Sequence, residues 1–437
     1  MNKYRNYQRR GFTRRIVFCF TVIASLAWQS VWSGEGLSRT EPADVGMSAE
    51  RLDRLTAGIQ NYVDEERLSG AVVTVTRRGK LVYQEAFGMR DREATAQMKT
   101  DTIFRIASQT KALVSVGIMI LQEDGALLIG DNVSKYLPEY RETTVAVVND
   151  DGGYDVVPAD RQITIRDLLT HTAGVDYGTG IAADRWEEAE ITGWYFAHRD
   201  EPVADTVARI ATLPFQSQPG EAWVYGYSSD ILGVVIEAVS GQTLAEFLDA
   251  RILQPLGMTD TYFYLPDSER DRLAAVYSLS RDGALTRAPN LGGMAGQGAY
   301  VVGPRKSFSG GAGLLSTATD YTRFLQMMLN GGELDGVRIL GRKSVELMTV
   351  NHSGDHYSQG GRNGRGFGLG FSVSIDVGEW GVPGSVGEFG WGGAYHSIYW
   401  VDPAEELVVT YMAQLRPAAG LDDQAKLRAL VYQAIVD

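Results

Sequence analysis

The chain has 437 residues, 44% hydrophobic and 22% charged, enough for one large core or two lobes. Its formal net charge is −13; the first 33 residues hold six basic side chains and no acids, so the rest sets 35 basic residues against 54 acidic ones, a balance of −19. An acidic body of that size argues against nucleic acid and anionic membrane surfaces as partners.

The first segment reads as a secretory signal. Lys3, Arg5, Arg9, Arg10, Arg14 and Arg15 precede an apolar run from Ile16 to Trp28, and small residues follow. Cleavage after Ala27 or Ser33 would fit, so 1–33 is expected to be the signal. The run is short for a membrane span, and no stable membrane insertion is expected once it is removed. Arg9-Arg10-Gly11-Phe12 is similar to a twin-arginine export signal. The expected location is therefore periplasmic or extracellular. The single cysteine, Cys19, falls inside this segment. A chain without it has no disulfide, no thiol nucleophile and no thiolate metal site.

Met47-Ser-Ala-Glu-Arg-Leu-Asp-Arg-Leu opens a helix with Ser48 as N-cap. Residues 70–88 form two β-rich runs around an Arg-Gly turn, a hairpin. Phe104 to Leu121 then reads as one helix, apolar on nearly every side and therefore buried; Gly125 suits its C′ position. Within it Ser108 and Lys111 are three residues apart and share a face. A lysine seldom goes inside without a partner or a purpose. The pair looks like an activated nucleophile and its base; a structural lysine snorkelling from the helix start is the other reading.

Residues 126–309 are rich in turn formers, with short helices at Ile163–Thr170 and Asp230–Ser240, the latter closed by Gly241. A capping box, Thr243-Leu-Ala-Glu246, opens a further helix. Residues 291–313 carry eight glycines and read as a long surface loop. Regular structure returns with a helix from Thr317 to Asn330. Gly368–Ile375 alternates like a strand, Trp391–Val401 and Leu407–Met412 form a hairpin around Asp402-Pro403, and a helix covers 423–436. The pattern is α+β: one sheet built from 34–125 and 310–437, with 126–309 as a mainly helical lobe with long loops.

Two more segments carry chemistry. Tyr227 lies in Pro219-Gly-Glu-Ala-Trp-Val-Tyr225-Gly-Tyr227-Ser228-Ser229, on the turn before a helix, where a phenol can join proton transfer beside Ser108 and Lys111. Gly390-Trp391-Gly392-Gly393-Ala394 opens a strand, and paired glycines there mark close approach of a ligand to backbone. With the S-x-x-K pair, these motifs make the chain resemble serine β-lactamase-like hydrolases, most closely family VIII carboxylesterases, which look like class C β-lactamases and penicillin-binding proteins. Leu168-Leu-Thr-His171-Thr-Ala-Gly174, Lys135-Tyr-Leu-Pro138 and Gly310-Gly-Ala-Gly-Leu-Leu-Ser316 extend the resemblance over nearly all the chain after the signal.

The resemblance implies a β-lactamase-like fold, an antiparallel sheet flanked by helices plus a second, helical lobe. It implies Ser108 as nucleophile, with Lys111 and Tyr227 as its proton-transfer partners. The backbone N–H groups of Ser108 and Ala394 would form the oxyanion hole. Trp391, Gly392, Gly393 and Ser229 would contact substrate. Trp391 stands where lactamases keep a lysine for the substrate carboxylate, and Ser229 where they keep an asparagine. An indole offers an apolar wall and one donor, which suits small neutral, short-chain esters. No cofactor and no metal are expected. His171 reads as structural, and His352, Asp355 and His356 as loop formers. A β-lactamase, a D-amino-acid peptidase or an acyltransferase would use the same residues, and a non-catalytic ligand-binding relative would not need them intact.

Overall fold

The structure, a computed structural model, describes residues 37–290 and 296–437. The segment expected to be a signal, with Cys19, and residues 291–295 of the glycine-rich loop lie outside the described residues.

Helix α1, Ala49–Asp64, starts where Ser48 accepts the Arg51 N–H at 3.3 Å. Its buried residues, Leu52, Leu55, Ile59 and Tyr62, recur every three to four positions and form one stripe. Strands β1, Gly70–Arg77, and β2, Lys80–Asp91, follow as the expected hairpin. Arg78 and Gly79 both take positive φ, 51° and 71°, the turn whose twist matches a two-residue hairpin. Every residue of β1 is buried, because helices cover both faces of the sheet it centres.

That sheet is antiparallel throughout, in the order β4-β5-β6-β7-β8-β1-β2-β3. The other strands are β3, Ala96–Gln97; β4, Arg365–Phe367; β5, Ser372–Ser374; β6, Phe389–Gly393; β7, Ser397–Asp402; and β8, Leu407–Ala413. Both ends of the described chain thus build one sheet, as expected. On one face α1 and the last helix, α5 (Asp423–Tyr432), pack on Val73, Val75, Val409 and Tyr411. On the other, α2 (Thr110–Glu123) and α4 (Ala318–Leu329) share a larger core with Val72, Val408 and Met412.

Three expectations are corrected. Phe104 does not begin a helix. Ile103–Arg105 is a short strand paired with Leu315–Thr317, Ala107 takes φ +43°, and a 3-10 turn over Ala107–Gln109 leads into α2 at Thr110. A residue in the left-handed region interrupts a right-handed helix, so the nucleophile candidate sits at the junction. Gly368–Ile375 is a strand only over Ser372–Ser374, because Gly370 at φ +92° turns the chain. Trp391–Val401 is two strands, β6 and β7, separated by a turn through His396 at φ +70°.

The 126–309 region holds α3, Ser228–Ser240, closed by Gly241 at φ 71°, and capping boxes at Thr164/Asp167 and Thr243/Glu246. It also holds a three-stranded sheet of Thr144–Val148, Tyr154–Pro158 and Pro214–Phe215. The Val-rich run followed by Asp150-Asp151-Gly152-Gly153 carries a hairpin signal that the helical reading of this region overlooked. Among the described residues no single helix is long and apolar enough to cross a membrane.

Candidate active site

Ser108 lies on the 3-10 turn, half-exposed, while Lys111, on the first turn of α2, is 2% exposed. The step from 3-10 turn to α-helix keeps both on one side. Lys111 Nζ lies 3.4 Å from Ser108 Oγ, donates to Tyr177 Oη at 3.1 Å and donates to the Gly311 carbonyl at 2.7 Å. An ammonium has three protons, and these contacts match them. The same nitrogen stands 4.8 Å from the centroid of the Tyr225 ring, a cation–π distance.

The Gly311 carbonyl is itself held. Asp230 of α3, fully buried, accepts from Ser309 Oγ at 2.6 Å and from the Gly311 N–H at 3.1 Å. Burial raises the Asp230 carboxyl above its ordinary range, against the pull of Ser309 and Lys111.

The tyrosine expectation is corrected. Tyr227 is 0% exposed, its ring stacked between Trp186 and Phe196, and its hydroxyl donates to the Gly193 carbonyl. It makes no hydrogen bond to Ser108 or Lys111. Desolvation pushes its phenol far up. The phenols beside the pair are Tyr177, whose hydroxyl accepts from Lys111, and Tyr225, whose ring faces the same nitrogen. Tyr225 accepts the Trp391 Nε1–H at 3.1 Å, and its ring lies 5.6 Å from Trp223, nearly parallel. Tyr177 crosses the Tyr225 ring edge-on at 5.6 Å. Burial, and next the Tyr225 phenol, raise Tyr177 well above the ordinary tyrosine range, so it stays a neutral phenol that accepts from Lys111. Gly226 brings the two together: a Cβ there would lie 2.3 Å from the Val175 carbonyl. The Tyr-x-x spacing fits Tyr225-Gly226-Tyr227 as well as Tyr227-Ser228-Ser229, and sequence offers no means of choosing.

His171, at φ +56° and 1% exposed, stands behind Tyr225 at 4.9 Å between rings. Burial first, and the Lys111 charge second, hold it well below the ordinary histidine range, hence neutral. His352 Nε2 pairs with the Leu347 carbonyl away from this cluster. Ser229 is buried in the first turn of α3, its carbonyl against Gly310, with no hydrogen bond to Ser108 or Lys111; the structure does not present it as a substrate contact.

Strand β6 brings the remaining candidates. A Cβ on Gly393 would meet the Ile106 carbonyl at 2.5 Å and Ser397 Oγ at 2.4 Å. Glycine is therefore required for the strand to pass the turn that carries Ser108. Gly392 and Ala394 flank that crossing. Trp391 closes the site with an aromatic wall that includes Tyr225, Trp223, Phe367 and Tyr357, at ring distances of 5.3 to 6.4 Å.

The chain is similar to known proteins over most of its length. A match to the family described as Beta-lactamase runs over residues 55–433. Esterase EstB of Burkholderia gladioli is 34% identical over 392 residues, 84% of this chain and 92% of that protein. Lovastatin esterase of Penicillium rubens is 33% identical over 309 residues, 68% of this chain and 72% of that protein. Among solved structures, EstCE1, a hydrolase with promiscuous acyltransferase activity, superposes with a TM-score of 0.76 at 27% identity, covering 87% of this chain and 98% of its own.

Proposed function

The chain belongs to the Beta-lactamase family, and from that premise we propose that the Ser108 site transfers acyl groups from short-chain carboxylic esters to water. The chain is a serine ester hydrolase, a reading that its likeness to two esterases and to EstCE1 supports. The observation that carries the residue assignment is the one ammonium, Lys111, set against Ser108 Oγ, the Tyr177 hydroxyl and the Tyr225 ring.

Ser108 Oγ attacks the ester carbonyl, and an O–C bond forms as the serine proton leaves. Lys111 and Tyr225 form the route for that proton. Tyr177 positions the lysine. The backbone N–H groups of Ser108 and Ala394 face the developing oxyanion, and the N-terminus of α2 adds its favourable field. The C–O bond to the alcohol breaks, the proton passes to the alkoxide, and water then releases the acid and restores Ser108.

A serine-reactive phosphonate followed by peptide mass spectrometry tests the assignment. One adduct on Ser108 is expected; an adduct elsewhere, with Ser108→Ala still active, overturns it. Activity against a chromogenic cephalosporin, run beside the esters, separates the hydrolase reading from a β-lactamase. Trp391 favours the esters, since it offers no cation to a lactam carboxylate.

Residues 1–33 are proposed to direct export; the support is their basic start and short apolar run. N-terminal sequencing of protein recovered outside the cytoplasm is expected to begin near residue 28 or 34. A cytoplasmic chain that begins at Met1 overturns the proposal.

A further inference from the structure

A cavity of about 570 Å³ adjoins the aromatic wall, and Trp391 is common to both. Its apolar sides are Tyr357, Trp380, Trp391 and Trp400; its floor is bare strand at Gly390 and Gly392. Three arginines and two glutamates line it. Glu388, 0% exposed, takes Arg428 in a bidentate pair at 2.7 and 2.8 Å and has Arg365 at 3.7 Å. Glu379 stands exposed at the mouth.

Arg362 is different. Its guanidinium lies over two rings, 4.7 Å from the Trp223 centroid and 4.9 Å from that of Tyr357. Among the described residues its side-chain hydrogen bond is to the Tyr357 carbonyl at 3.4 Å. No carboxylate among the described residues lies within ion-pairing distance of it. An arginine held flat on aromatic faces keeps its fork of N–H groups free at the edge. Trp223 in turn stacks on Tyr225, whose ring lies 4.8 Å from Lys111 Nζ. The cation is thus two rings away from the reacting centre.

We infer that Arg362 and this cavity form a subsite for a carboxylate on the ester substrate, so that the enzyme accepts esters carrying a second, anionic group on an apolar body. The inference rests on the hydrolase reading of Ser108 and names a substrate class for it. It is compatible with Trp391 in place of a lysine: the ester group faces an apolar wall beside Ser108, and the anion is taken beyond that wall. The carboxylate replaces the missing counter-ion of Arg362, while Tyr357, Trp380 and Trp391 cover the carbon skeleton.

The test compares 4-nitrophenyl acetate with two anionic esters, 4-nitrophenyl hemiglutarate, charged on the acyl side, and 4-acetoxybenzoate, charged on the alcohol side. Each is run with wild type, Arg362→Gln and Arg362→Lys. In Arg362→Gln the ratio of kcat/KM for at least one anionic ester to that for the acetate is expected to fall about 5- to 20-fold, chiefly through KM. Arg362→Lys restores part of the ratio. Which ester responds assigns the carboxylate to the acyl or the alcohol side. An unchanged ratio for both esters overturns the inference while leaving the hydrolase reading intact. Calorimetric binding of benzoate to Ser108→Ala, with and without Arg362→Gln, needs no turnover. Arg362-dependent binding supports the subsite even if the esters are not cleaved, and binding indifferent to Arg362 overturns it.

Discussion

At the scale of single residues, two tyrosines two positions apart have opposite fates. Tyr225 faces Lys111 and Trp391; Tyr227 is shut in a stack with Trp186 and Phe196. Tyr225→Phe is expected to lower kcat about 10²- to 10⁴-fold, the range for loss of a positioned proton-transfer group. Tyr227→Phe loses a buried bond to the Gly193 carbonyl and leaves that acceptor unpaired, so about 1–3 kcal/mol of stability goes while kcat/KM stays within a few-fold. Steady-state kinetics and denaturant melts of the two variants check this; the reverse pattern restores Tyr227 as the catalytic phenol. Lys111→Ala combined with Tyr225→Phe should cost little more than either alone, because groups in one proton route fail together. Strictly additive losses would separate their roles. Trp391→Phe keeps the apolar wall and removes one hydrogen bond to Tyr225, and a loss of roughly 2- to 13-fold in kcat/KM is expected.

At the scale of elements, the site depends on β6 crossing the turn that carries Ser108. Gly393→Ala puts a methyl against the Ile106 carbonyl. Strand and turn must part, and activity should fall well before the melting temperature does, as parallel activity and thermal-melt measurements would show. Helix α4 adds a pH-dependent term. Asp320, near its start, accepts from the Asp260 N–H at 2.8 Å and the Thr261 hydroxyl at 2.9 Å, and burial raises its carboxyl to about 6. A folded-state value above the unfolded one means the folded protein holds the proton more tightly. The stabilisation is therefore complete below about pH 4 and is lost as pH rises through about 6, a change on the order of 3 kcal/mol. Asp320→Asn should flatten that part of the stability–pH curve; an unchanged slope between pH 4 and 6 contradicts the assignment. The sequence signals for Ser48, Thr243 and Gly241 each lead to the expected helix end, because caps are local chemistry. Phe104 misleads because the short stretch Ile103–Arg105 runs without a break into a long apolar helix and satisfies a strand as readily as its first turn, and long-range pairing with Leu315–Thr317 decides between them.

At the scale of the whole molecule, the described chain closes on itself. Ser48 donates its N–H to the Ala434 carbonyl at 2.8 Å, Val436 donates to Gly46 at 3.0 Å, and Asp437 pairs with Arg77 at 2.7 Å. Helix α5 also buries Leu427 and Val431 completely against α1 and the sheet. Deleting residues 423–437 would uncover that face and strip Glu388 of its bidentate Arg428, leaving it only the more distant Arg365 at 3.7 Å. The truncated chain is expected to lack a cooperative thermal transition. A variant that melts near the wild-type temperature would show α5 to be dispensable.

The sequence alone determines the S-x-x-K pair, the Trp-Gly-Gly strand end, the β1–β2 hairpin and the helix caps. Each depends on residue type at short spacing, so each is written locally. Tertiary structure decides which phenol meets Lys111, because the choice lies with Trp186, Phe196 and Gly193, all far upstream of Tyr227. It also decides that Arg362 lies on Trp223 and Tyr357 without an acidic partner, while Arg428 is spent on Glu388. In sequence the arginines look alike; burial and the distance to the nearest carboxylate distinguish them, and those exist only once the chain has folded.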